Sequence, residues 1–151
     1  MADFIGKTLA GKEVSVDVKP VNKVKDLVGY KAAVIGSAIQ AGDVLPEITK
    51  FVKTHKAELE RIPISYFIVC MLLKDNTEKN QKKAYGYLDS LSKEIKPIDT
   101  GLFAGKLDYS KLGTFDYIIV KYFVGTPEGD YRDWEAIRTW ANDLLHKLKL
   151  N

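Results

Sequence analysis

The sequence predicts an α/β domain, a parallel sheet wound on both faces by helices. Two runs carry this reading. Ala32 to Ile35 and Pro63 to Cys70 are unbroken apolar stretches rather than alternating ones, the pattern of strands covered on both sides. Strand and helix patterns also alternate along the chain, which with right-handed crossovers gives a doubly wound sandwich. In such sheets ligands bind beyond the carboxyl ends of the strands. The stretch after Ile35 therefore stands out. Gly36, Ser37, Ala38, Ile39, Gln40, Ala41 and Gly42 read as a loop in that crevice, offering backbone amides, a hydroxyl and an amide side chain. They carry no charge, which suits a flat hydrogen-bonding ligand better than a metal.

The elements follow in order. Phe4, Ile5, Thr8 and Leu9 lie at helical spacing, and Gly11 is a natural stop. Val14, Val16 and Val18 alternate with Ser15 and Asp17 as a strand ended by Pro20. After the Ala32 strand, Asp43 is placed to cap a helix with Pro46 in its first turn and a stripe of Ile48, Phe51, Val52, His55 and Leu59. Pro63 to Cys70 is a central strand. Asp75, Asn76 and Thr77 open a helix whose inward face is Ala84, Leu88, Leu91 and Ile95, and Pro97 ends it. Ile98 to Phe103 is the fourth recognisable strand. Asp130 is placed to cap a last helix with Trp134, Ile137, Ala141, Leu144, Leu145 and Leu148 on one face. The stretch 107–129 before it is too long for a plain connection and carries Phe115, Ile118, Ile119, Tyr122 and Phe123 at helical spacing, although its centre, Tyr117 to Val124, also has strand-like composition.

Composition narrows the function classes. At 151 residues, 46% hydrophobic and 28% charged, the chain reads as one soluble domain. The net charge of +3 comes from lysines interleaved with acids, with no basic block for nucleic acid. One cysteine excludes an internal disulfide and points to a reducing, cytoplasmic setting. His55 and His146 are far apart with no cysteine nearby, so no metal site is expected. Cys70 reads as a small buried hydrophobe, and no residue is assigned to catalysis.

Three segments then point to a family: Val34 to Pro46 leading into Phe51 to Lys56, Gly101 to Leu112, and Pro127 to Ile137. In this order they resemble the flavodoxin-like proteins of the menaquinone-dependent protoporphyrinogen IX dehydrogenase branch, a group serving heme biosynthesis. The resemblance implies a flavodoxin-like doubly wound sheet. It also implies FMN with its ring against Gly36 to Gly42, against Cys70, Met71 and Leu72, and against Ala104, Gly105 and Lys106. In that pattern this chain begins inside the first helix, without the first strand or the phosphate loop. A gap would then open at the sheet's middle, and self-association into a homo-oligomer is the expected remedy.

Three functions stay open from the sequence. One is an FMN-dependent oxidoreductase with a quinone or porphyrin substrate. Another is a flavodoxin-type electron carrier. The third is a truncated scaffold that no longer binds FMN. A phospho-acceptor domain would need an aspartate where Gly36 and Ser37 stand. The Phe115 to Phe123 stripe is either a surface for peripheral membrane or quinone contact or, more ordinarily, a face packed on its own domain.

Overall fold

The computed structural model describes residues 1–11, 14–108 and 127–148. Helix α1 (Ala2–Leu9) leads through an irregular stretch, with one 3-10 turn at Val21–Lys23, into strand β1 (Ala33–Gln40). A tight turn and β2 (Asp43–Val44) follow, then α2 (Pro46–Thr54), α3 (Lys56–Leu59), β3 (Ile64–Val69) and a 3-10 turn at Met71–Lys74. After α4 (Glu78–Gly86) and α5 (Asp89–Glu94) come β4 (Asp99–Phe103), β5 (Lys106–Leu107), β6 (Gly129–Asp130) and α6 (Trp134–Lys147).

The sheet has the order β2-β1-β3-β4, with β1, β3 and β4 parallel and β2 antiparallel to the end of β1. The unbroken run of β3 has a plain cause. Tyr66 and Ile68 enter one core with Ile48, Val52, Leu59 and Leu91, while Phe67 enters a second core with Ile5, Ile137 and Leu144. Both faces are covered, so no position is left for a polar side chain to reach water. The Tyr66 hydroxyl spends its polarity on the Ile95 carbonyl, 3.2 Å away, and burial pushes its pKa up to about 12.

The doubly wound parallel class is as expected, and five local readings are corrected. Residues 14–18 form no ladder with any described residue. Their alternation matches a strand, but what lies against Val16 and Val18 is Gly6 of α1, and no described strand pairs with them. Gly36 to Gln40 are strand rather than loop, and only Ala41 and Gly42 turn. Asp43 does not cap α2. The two-residue hairpin claims it, its carboxylate accepting from the Val44 amide at 2.8 Å, and Leu45 stands at the N-cap ahead of Pro46. Asp130 is likewise drawn into the β5–β6 ladder, leaving Asp133 to cap α6 by accepting from the amides of Glu135 and Ala136. The helix expected after Thr77 breaks at Tyr87 and Leu88, yet Ala84, Leu88, Leu91 and Ile95 are all buried. The stripe from Phe115 to Phe123 lies outside the described residues.

The β1–β2 turn holds two consecutive left-handed residues, Ala41 at φ 51° and Gly42 at φ 81°. This is the geometry that suits the twist of a two-residue hairpin and that favours glycine at both positions. An L-residue with a Cβ is strained there by roughly 1–2 kcal/mol. Ala41→Gly is therefore expected to raise stability by about 0.5–1 kcal/mol once glycine's extra chain entropy is subtracted. A denaturant midpoint that falls would refute it.

Candidate functional site

The register aligns Ala38 with Val69 and Val69 with Phe103, so the three parallel strands finish in one row. Whatever follows that row emerges on one crest. The crest residues are Ile39 to Gly42, Cys70 to Leu72, and Ala104 to Lys106. All three expected segments are therefore brought to the same edge of the sheet.

Each segment is fastened from below. The Ser37 hydroxyl, 6% exposed, accepts from the Leu45 amide at 3.0 Å and donates to the Ala38 carbonyl at 2.7 Å. This ties the strand to the start of α2 and closes the hairpin between them. The second segment is held by Asn80, whose side-chain amide donates to the Leu72 and Asp75 carbonyls at 3.0 and 2.8 Å. Thr77 caps α4 and places Asn80 for this, its hydroxyl accepting from the Asn80 amide. The third segment is pinned where the Tyr131 amide donates to the Gly105 carbonyl at 3.1 Å. Sequence reading missed Asn80, Tyr131 and Tyr87, the last of which stands beside Gly42. Only Asn80 had a local cue, its position three residues after a capping threonine.

The glycines answer to neighbours within the fold. A Cβ at Gly36 would overlap the Phe67 ring, so the glycine is there to let that ring lie across the strand. A Cβ at Gly105 would come within 2.9 Å of Val69 and 3.7 Å of the Met71 sulfur. Gly42 serves the turn. Ser37, buried, turns its hydroxyl to the backbone. What the crest offers outward is Gln40, Ala41 and Gly42, all exposed, and the half-buried apolar Ile39, Met71 and Leu72. That set fits the flat, amphipathic ring of a flavin: apolar side chains for its faces and main-chain groups for its polar edge.

Charges ring the third segment. Lys106 lies 3.8 Å from the Asp108 carboxylate. Arg132 grips Asp130 through its guanidinium and holds that carboxyl down to about 2. Lys74 pairs with Asp75 at 2.8 Å, a hydrogen bond that raises its pKa. Burial pushes the Cys70 thiol up, which disfavours the thiolate form. Lys106 and Leu107 pair with Asp130 and Gly129 in the antiparallel β5–β6 ladder beside this segment.

The remaining candidates are elsewhere. His55 sits in the turn between α2 and α3, stacked on Phe51 and 2.6 Å from the Glu58 carboxylate. That carboxylate also accepts from the Leu27 amide, and the two bonds lower its pKa. Trp134 packs on Phe4 with Arg132 over its ring, and Trp140 meets Phe67 and Phe103 edge-on. Among the described residues no three His, Cys, Asp or Glu side chains gather as a metal site, and no helix is long and apolar enough to cross a membrane.

Comparison with known proteins agrees with this architecture. The chain is 28% identical over 140 residues to protoporphyrinogen IX dehydrogenase [quinone] of Leishmania major, covering 85% of this chain and 59% of that protein. It is 22% identical over 157 residues to the Escherichia coli K12 protein of the same name, covering 97% and 87%. The chain thus spans well under two thirds of the first relative and most of the second. The flavodoxin domain model matches residues 1–133. With that match over most of its length, and with a parallel sheet whose strands end on one crest, the chain belongs to the flavodoxin domain family.

Proposed function

We propose that this chain is a flavin-dependent oxidoreductase of the protoporphyrinogen IX dehydrogenase type, with FMN held at the crest and a quinone as electron acceptor. The observation that carries the reading is the gathering of Ile39 to Gly42, Cys70 to Leu72 and Ala104 to Lys106 on one edge of the sheet. The likeness to the two dehydrogenases named above supports it. Bound FMN supplies acceptance of hydride equivalents and their onward transfer as electrons. The chain's own part is positioning. Ile39, Met71 and Leu72 would pack the ring and keep water from its faces. Main-chain groups of the hairpin and of the 104–106 segment would orient its polar edge. No side chain is assigned as acid or base, and protons would exchange with solvent at the exposed crest. The length of chain between β5 and β6 favours a dehydrogenase over a plain electron carrier, since an insertion at this place resembles the dehydrogenase branch.

Flavin fluorescence tests this. The residues assigned here meet the ring and none is assigned to the phosphate. Riboflavin is therefore expected to be quenched with an affinity within about threefold of FMN. Met71→Asp, which puts a carboxylate against the ring, should weaken both by about tenfold or more. Absence of quenching, or quenching indifferent to Met71→Asp, would overturn the assignment. Several charge-assisted phosphate bonds, at roughly 1.5–3 kcal/mol each, would instead make FMN bind far tighter than riboflavin.

A further inference from the structure

Helix α4 meets the rest of the chain along one narrow side. Ala84 is its buried residue, and Asn80 turns inward to the Leu72 carbonyl. Helical spacing puts Lys79, Lys82, Lys83 and Gly86 together on the other side with Tyr85 at their flank, and all five are exposed. None of the three lysines pairs with a carboxylate among the described residues. Glu78 stands four positions before Lys82, the spacing of a favourable pair, and no ion pair forms. The next acid along the chain is Asp89, in the first turn of α5. The face therefore carries three positive charges with no carboxylate paired to them.

Gly86 lacks a reason within the chain. Glycine is among the least favourable residues for a helix. Other glycines here answer to a positive φ, as at Gly42, or to a crowding side chain, as at Gly36 and Gly101. Gly86 has no positive φ, and a Cβ built on it would meet no described atom within 4 Å. What a glycine on an exposed helix face does provide is close approach of another backbone from outside. It provides that at the heart of the cationic face, one turn beyond Lys82 and Lys83 and two beyond Lys79.

We propose that this face docks an acidic helix of a partner protein. The partner's backbone crosses α4 over Gly86, its carboxylates meet Lys79, Lys82 and Lys83, and an apolar side chain at the crossing packs on Tyr85. Unpaired lysines steer an acidic partner and fix its orientation. Tyr85, 50% exposed, is of the residue type enriched at the centre of such contacts. A layer of anionic lipid headgroups would match the charge alone. It needs no notch in the helix, and Tyr85 is the one large apolar side chain that α4 exposes to it. The notch decides for a helix over a membrane. Docking here is independent of a bound ring, since none of these residues is assigned to it.

The test titrates the whole 151-residue chain with a capped alanine–glutamate helix of about 18 residues, carrying one leucine at its centre. Backbone amide shifts are followed residue by residue. Saturable shifts are expected from Lys79 to Gly86, with an affinity that falls about fivefold or more between about 0.02 and 0.15 M salt. The same peptide with lysine for every glutamate should shift none of them. Gly86→Gln adds a better helix former whose side chain stands in the crossing. It is expected to keep or raise the thermal midpoint and to weaken the acidic peptide by about tenfold. Lys82→Glu combined with Lys83→Glu should abolish the shifts. The proposal fails if the acidic peptide shifts no amide of α4. It fails equally if Gly86→Gln binds as the parent does, which would leave only unspecific attraction of charges. Phosphatidylglycerol vesicles that take up the parent and Gly86→Gln alike, while the peptide does not bind, would make the face a membrane contact and overturn the protein partner.

Discussion

Gly36→Ala is expected to destabilise the protein by about 3 kcal/mol, although a methyl group on a strand glycine ordinarily stabilises. Gly36 sits at the middle of β1 directly opposite Phe67 on β3. The Phe67 ring lies over the bare Cα, and a Cβ there would overlap its tip. The backbone cannot retreat, because alternate residues on both strands are locked in the ladder. The ring must therefore move. Towards α6 it meets Trp140, already in edge contact at 6.2 Å between centroids. Its other exit is into a cavity of about 1000 Å³ that it lines together with α1, residues 14–30, β1 and α2, where burial of the ring, worth about 1.5–3 kcal/mol, is largely lost. Either route is costly. Gly36→Ala combined with Phe67→Leu should cost less than the sum of the two single changes, by about 1–2 kcal/mol, in chemical denaturation. Strict additivity would show that the ring does not rest on the glycine.

That glycine also shows why part of the site was illegible in sequence. Gly-Ser after an apolar run reads as punctuation, and the topological rule for open sheets gave the run a ligand to meet. Both features answer to neighbours remote in sequence: Gly36 to a ring 31 positions on, Ser37 to the amide of Leu45. The edge itself was legible. Three strand ends recognised from apolar runs, in a doubly wound sheet, must come out on one side, and they do. Caps were misplaced for a related reason. Asp43 and Asp130 are good capping residues by type, but two-residue ladders claim both before a helix can. The alternation at Val14, Val16 and Val18 was sound as a local pattern. It makes no strand because a ladder needs a partner, and no described strand pairs with it.

Ile137→Ala and Ile5→Ala are expected to differ, although the chemistry removed is the same. Both side chains belong to the core beneath α1 and α6, with 0% and 2% exposure. Ile137 does not line the cavity and is packed on every side, so truncation leaves a void, and the expected loss is about 3–4 kcal/mol. Ile5 faces the cavity and already lacks packing partners on one side. Its truncation enlarges a space that water can enter and forfeits fewer contacts, so about 1–2 kcal/mol is expected. The two helices stay in place in each case, since α1 keeps Leu9 and α6 keeps Ala141 and Leu144 in the same core. Urea midpoints of the two variants, compared with the parent at one protein concentration, measure the difference. Equal losses would mean that the space beside Ile5 does not lower the cost of its truncation.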